Sequence, residues 1–121
     1  MKLSDLEIYR ISKEISDKGW VIYNKLEWQN RRNIGTQFIR AIDSIGANIA
    51  EGFGRYHYLD KNRFNYNARG SLLESIYWID LLYKRGIINN KEHEDICSEL
   101  EKLHIKLNNY IKITKEQINK K

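Results

Sequence analysis

Residues 52–70, GFGRYHYLDKNRFNYNARG, bring together side chains suited to holding a polyanion. Arg55, Lys61, Arg63 and Arg69 stand against one acid, Asp60, with Phe53, Tyr56, Tyr58, Phe64 and Tyr66 interleaved. Cationic groups neutralise phosphates, and aromatic faces stack on unpaired bases for about 1–3 kcal/mol each. Taken singly, Phe53 and Phe64 read as core, and the tyrosines as rim groups with their hydroxyls in water. Asn62, Asn65 and Asn67 would either read bases or phosphates or sit in solvent at a fraying first turn. Arg31 and Arg32, in a first loop, and Arg40 form a second tier of phosphate contacts.

A different chemistry is suggested by SIGANIAEGFGRY, residues 44–56, where Gly46, Gly52 and Gly54 interrupt a helix-friendly stretch. A phosphate cradle needs a strand, a glycine loop and then a helix N-terminus. Here a helix comes first, no strand precedes it, and neither a third fingerprint glycine nor a Gly-Lys-Ser/Thr follows. The glycines are therefore expected to end a helix with left-handed backbone at Gly52 and Gly54, and to permit a close approach at Gly46. Glu51 and Arg55, four apart, can pair on the surface.

Metal and acid–base chemistry find less support. A di-iron bundle needs two Glu-x-x-His motifs plus two further glutamates; Glu101–His104 is the lone match, and its core-facing member is Leu103. His93 and His104 are eleven apart on different faces. No metal and no cofactor are expected. Glu51, Glu74, Arg40 and Asn48 read as structural polar groups, because catalysis would require a carboxylate in a cleft with a raised pKa. No enzyme is expected.

The elements that carry these residues read as helices throughout. The chain has 121 residues, no proline and 41% hydrophobic residues, enough for one domain with a real core. Ile8, Ile11, Ile15, Ile22 and Leu26 form a first helical stripe, opened by Ser4 or Asp5 as cap, with Gly19 interrupting it. Residues 27–35 show no periodicity and read as a loop. A second stripe, Phe38, Ile42, Ile45 and Ile49, starts at a Thr36 cap. Asp60 caps a third helix carrying Phe64, Ala68, Leu72, Ile76, Ile79 and Tyr83, which stops at Gly86. A fourth carries Ile96, Leu100, Leu103, Leu107, Ile111, Thr114 and Ile118. With helices at about 4–27, 36–53, 60–86 and 91–118 and short connections, a single domain spanning 1–121 is expected to be an all-α, antiparallel up-down-up-down four-helix bundle.

Charge and cysteine usage bound the setting. The formal net charge is +5 with a pI near 9.3, so nucleic acid is favoured as a partner. Residues 1–60 hold nine Lys/Arg against eight Asp/Glu, and residues 61–121 hold twelve against eight. Cys97 stands alone and cannot form an internal disulfide, which fits a reducing compartment. The opening MKLSDLEIYRISKE lacks a signal-peptide core, and no run reaches the roughly 18 apolar residues of a membrane span. A cytoplasmic chain with no membrane role is expected.

The string SIGANIAEGFGR resembles the signature of the four-helix bundle family named for proteins encoded in 23S ribosomal RNA intervening sequences. Ala68, Gly70, Ser71, Leu72 and Glu74 match that family's Ala-x-Gly-Ser-Leu-x-Glu, and Gln37, Arg40 and Ala41 its Gln-x-x-Arg-Ala. Asp5-Leu6-Glu7 and the four-helix layout extend the likeness over essentially the whole chain. One departure is Gly46, where the family commonly has proline, so a kink there would be absent or softer. The resemblance implies an antiparallel bundle that assembles into pentamers. It also implies kinship with the accessory variability proteins of diversity-generating retroelements, which bind nucleic acid and a reverse transcriptase; no enzymatic activity is established for the family.

Trp20, Trp28, Tyr77 and Trp78 exceed what one seam hides, and Leu73, Tyr77 and Trp78 widen the apolar surface of the third helix. A second copy is expected to cover them. Two functions follow from the sequence. One is a non-enzymatic homo-oligomer binding RNA or DNA; the other is a scaffold for a protein such as a polymerase, with no direct nucleic-acid role.

Overall fold

A computed structural model describes residues 1–120. Its four long helices are α1 (Glu7–Lys25), α2 (Thr36–Phe53), α3 (Tyr58–Lys84) and α4 (Asn90–Asn119). No strand occurs among the described residues, and the fold is an all-α four-helix bundle. Each helix packs on the next, and α4 returns to α1. Lys106 meets Glu7 at 3.1 Å and Lys18 meets Asp95 at 2.8 Å, so residue numbers rise along α1 as they fall along α4. Arg69 with Asn108 and Asp80 with His93 show the same opposed order for α3 and α4. Among the described residues, no helix is long and apolar enough to cross a membrane.

Three of the four stripes are buried where their spacing puts them, except Ile118 near the end of α4, which is half-buried. Ile8, Ile11, Ile15 and Ile22 on α1 meet Phe38, Ile42, Ile45 and Ile49 on α2 and Ile96, Leu100, Leu103, Leu107 and Ile111 on α4. On α3 the buried face is rotated slightly from the expected one. Ala68, Leu72 and Ile79 are buried, but so are Asn62, Asn65, Ser75 and Leu82, while Phe64 and Ile76 are half-buried and Tyr83 is exposed. The two asparagines therefore belong to the core, and only Asn67 sits in solvent. Asn65 Nδ2 donates to Asn62 Oδ1 at 3.0 Å, and Asn62 Nδ2 donates to the Ile111 carbonyl at 3.2 Å. Burying an amide is tolerable only with such partners.

Helix ends differ from the expected boundaries. Residues 27–35 are helical rather than a loop: Trp28–Asn30 form an α turn and Arg31–Gly35 a π turn that runs directly into α2. Thr36 is consequently not a cap; it has helical dihedrals, and its Oγ1 donates to the Arg31 carbonyl at 2.6 Å. The wider π turn breaks the 3.6 period, which is why this stretch looks structureless in sequence. Likewise α1 begins after Leu6 with no side-chain cap, behind a 3₁₀ turn at Leu3–Asp5. Helix α3 starts ahead of Asp60, whose carboxylate binds Arg63 instead of capping.

The glycines act mostly by closeness. A Cβ on Gly46 would lie 2.8 Å from Ser12 Oγ, one on Gly19 3.1 Å from Ile42 Cγ2, and one on Gly52 3.0 Å from the Lys61 carbonyl oxygen. Neither Gly52 nor Gly54 uses left-handed backbone, contrary to expectation; Gly86 does, with φ of +72° at the end of α3. Helix α2 continues unbroken through Gly46.

Gly46→Ala is expected to leave stability unchanged or lower, since about 0.8–1 kcal/mol of helix propensity is offset by the Ser12 clash. In a Ser12→Ala background the same change should stabilise by about 0.5–1 kcal/mol. Denaturant unfolding of the four proteins checks it; an equal gain in both backgrounds would mean the contact is not tight. Asn62→Ala strands Asn65 Nδ2 and should cost about 1–3 kcal/mol relative to Asn67→Ala, which makes the same propensity change in solvent.

Candidate nucleic-acid interface

The turn between α2 and α3 is set by Gly52, which lets the first turn of α3 close on α2. That approach gathers Arg55 and Arg63 around Phe64 and Asp60, with Lys61 beside Phe53. The guanidinium carbons of Arg55 and Arg63 each lie 4.6 Å from the Phe64 ring centre. Asp60 Oδ1 accepts from Arg63 at 2.7 and 3.1 Å, and Arg55 stands 3.7 Å from both Asp60 and Glu51. The Arg63 hydrogen bond, reinforced by the charges of Arg63 and Arg55, holds the Asp60 carboxyl below the usual carboxylate range. Lys61 Nζ donates to the Phe53 carbonyl at 2.9 Å and lies over that ring. Two carboxylates thus offset part of a cluster of three cations.

Next to this corner is a groove of about 640 Å³ between the start of α3 and the end of α4. Leu59, Tyr66 and Ile118 line it together with His57, Asp60, Asn62, Arg63, Lys115 and Asn119. Tyr56 projects at the corner, 87% exposed, its ring edge-on to His57. Lys115 adds a cation to this border, and the His57 imidazole lines it; neither belongs to the basic cluster read from the sequence. Only the fold brings Lys115 here, from the other end of the second half of the chain.

The remaining candidates are dispersed. Arg69 lies further along α3, donating to Asn108 at 3.0 Å and covering Tyr66. Arg31 and Arg32 sit beyond the opposite end of α2, whose 18 residues span about 27 Å. Arg31 Nε donates to the Leu26 carbonyl, and Arg32 lies over Trp28. Arg40 is exposed on α2. The seven basic candidates therefore do not form one patch.

The polar motif residues face outward. Glu74 accepts from Trp78 Nε1 at 3.0 Å, Asn48 donates to the Ser44 carbonyl, and Ser71 offers its carbonyl to Ser75. Around Gly70 there is nothing within 4 Å of where a Cβ would stand. On the same outer surface Tyr66 is 43%, Leu73 49% and Tyr77 58% exposed, while Trp78 is half-buried against the core. At the far end of α3, His93 Nε2 lies 2.8 Å from Asp80 Oδ1, with Cys97 one turn on. Burial, then the Asp80 charge, pushes the Cys97 thiol up to about 11.

The model of the 23S rRNA-intervening sequence protein family matches residues 4–109, from the first turn to the middle of α4. The chain belongs to that family. A crystal structure of a protein of unknown function from the S23 ribosomal protein family of Bacteroides thetaiotaomicron is similar, with 25% identity and a TM-score of 0.80. The likeness covers 87% of this chain and 98% of that one. No curated protein matches the chain closely enough to count as a relative. Family membership carries the fold; the groove and its cations are read from this chain.

The raised Cys97 pKa has a measurable consequence, because the thiolate is the form that reacts. Alkylation by iodoacetamide at pH 8, with a chelator present, should run about a hundredfold slower than for an ordinary thiol. The rate should climb roughly tenfold per pH unit towards pH 11. A plateau near pH 9 would contradict the burial.

Proposed function

We propose that the chain is a non-enzymatic, cytoplasmic, homo-oligomeric four-helix module that binds RNA or DNA at the bundle end where α3 begins and α4 ends. One observation carries the reading: an apolar-floored groove with a tyrosine wall, bordered by the cations Arg63 and Lys115. Cations along a groove hold a phosphate backbone, and an aromatic wall offers an unpaired base a stacking face. Arg55 and Lys61 extend the positive border, and Arg69 lies beside Tyr66. This favours single-stranded or looped nucleic acid over regular duplex, whose bases are already stacked. Glu51 and Glu74, engaged with Arg55 and Trp78 on the outer surface, supply no acid–base pair in a cleft.

The oligomer, a pentamer by family resemblance, would cover Leu73, Tyr77 and the surface around Gly70. Repeating a modest cationic groove around a ring multiplies weak contacts into useful affinity. A second reading, a scaffold for another protein such as a polymerase, draws on a specific observation too. Arg55, Lys61, Arg63 and Arg69 each already hold a partner within the chain, which lowers their net attraction for phosphate.

Filter binding of labelled single-stranded RNA and DNA across a salt series separates the two. Binding should fall steeply with salt, and Arg63→Glu with Lys115→Glu should weaken it at least about tenfold while flattening the salt slope. Affinity unchanged by that pair, or absent at physiological salt, favours the scaffold. Light scattering should return a multimer; a single-chain particle would remove the oligomeric half of the proposal.

A further inference from the structure

At the end of the bundle away from the groove, three donors of different chemistry converge from two helices. His93 and Cys97 are one turn apart on α4 and so share a face. Asp80, on α3, reaches across to them. One ligand atom from each of the three lies within 4.8 Å of the others, and His93 Nε2 is already 2.8 Å from Asp80 Oδ1. The imidazole is held in place on its other face by Tyr83, whose ring stacks on it at 4.3 Å between centres and 17° between planes. Tyr83 is in turn tied by its hydroxyl to Asn90 Oδ1 at 3.1 Å. A ligand ring fixed in orientation before a metal arrives loses little freedom on binding it.

We propose that Asp80, His93 and Cys97 form a binding site for a borderline-soft divalent cation, zinc by preference, with a fourth position open to solvent. The donor set argues for this metal class. A thiolate and an imidazole select zinc, cobalt and their neighbours over magnesium or calcium, which take oxygen donors. Tetrahedral bonds of about 2.0–2.3 Å place such donors about 3.3–3.6 Å apart. The Asp80–His93 pair opens slightly to admit the ion, and Cys97 closes in by a side-chain rotation. On binding, the Cys97 thiol releases its proton to solvent, and the hydrogen that His93 Nε2 shares with Asp80 is displaced, so that the neutral ring carries its one hydrogen on Nδ1 and Nε2 is free to bind the ion. Three protein ligands and a water complete the shell.

Access and charge fit as well. His93 and Cys97 border an open depression of about 630 Å³, so a hydrated ion reaches the donors without parting the helices. Glu94 and Glu101 line that depression against a single lysine, Lys91, while Asp95 is taken by Lys18. No local motif announces the site, because its carboxylate comes from the neighbouring helix; the proposed site departs from the expectation of no metal.

Cobalt(II) titration of the full chain under reducing conditions tests the site. One equivalent should produce the near-ultraviolet charge-transfer band of a cobalt–thiolate bond, and added zinc should abolish it. Cys97→Ser should lose the band completely and Asp80→Asn should weaken cobalt binding at least about tenfold, with helical circular dichroism confirming that each variant folds. His93→Gln serves as a second reporter should the cysteine variant fail to fold. Absence of the band in the parent protein, its survival in Cys97→Ser, or cobalt uptake without a thiolate signal would each overturn the proposal.

Discussion

Close approach at glycine positions on α1 and α2 is the constraint on which the rest of the bundle depends. Gly19 admits Ile42, Gly46 admits Ser12, and Gly52 admits the backbone of α3 at Lys61. Each glycine gives up roughly 1 kcal/mol of helix propensity. The return is a set of short interhelical contacts, individually small and collectively large, that no larger residue allows without displacing a neighbour. Because Gly52 seats the first turn of α3, it also fixes where Arg55, Lys61 and Arg63 stand relative to one another. The placement of charge at that corner is thus a consequence of packing a few residues earlier.

How much of this could be read in the sequence depended on whether polarity and burial agreed. On α1, α2 and α4 they do, and Ile15, Ile45 and Leu103 lie where their spacing puts them. On α3 they agree only in part. Ala68, Leu72 and Ile79 lie inside as spaced, but Asn62, Asn65 and Ser75 are inside too, so a periodicity argument that assumes polar-out misses half of the buried face. The asparagines are affordable in the core only because they satisfy one another and Ile111, a pairing between residues 49 apart that no local pattern reveals. Residues 31–35 failed for a different reason: a π turn has no 3.6 period to detect.

The candidate sites divide along the same line. Arg55, Lys61 and Arg63 were legible as a cluster because they are close in sequence and stay close in space. Lys115 completes the groove only after α4 has folded back, and Asp80 joins His93 and Cys97 only across the α3–α4 pair. Proximity created by helix packing is invisible to motif reading, whereas family resemblance transmits the packing itself. This is why the four-helix bundle was recognisable from SIGANIAEGFGR while the groove was not.

Gly70 bears on what surrounds the bundle. It lies in the middle of a 27-residue helix, where glycine is unfavourable by roughly 1 kcal/mol relative to alanine, and nothing in the chain occupies the space a Cβ would fill. Gly19, Gly46 and Gly52 all have an internal neighbour that explains them; Gly70 has none. Its neighbours on that surface are Tyr66, Leu73 and Tyr77, apolar groups that an isolated bundle would leave in water. A helix from another copy crossing at Gly70 would account for both the missing side chain and the apolar surround, because small residues let backbones approach while flanking rings and aliphatic groups seal the contact. The same crossing would set Tyr66, at the edge of the groove, beside a subunit boundary, so that assembly and polyanion binding would share a border rather than compete for one surface.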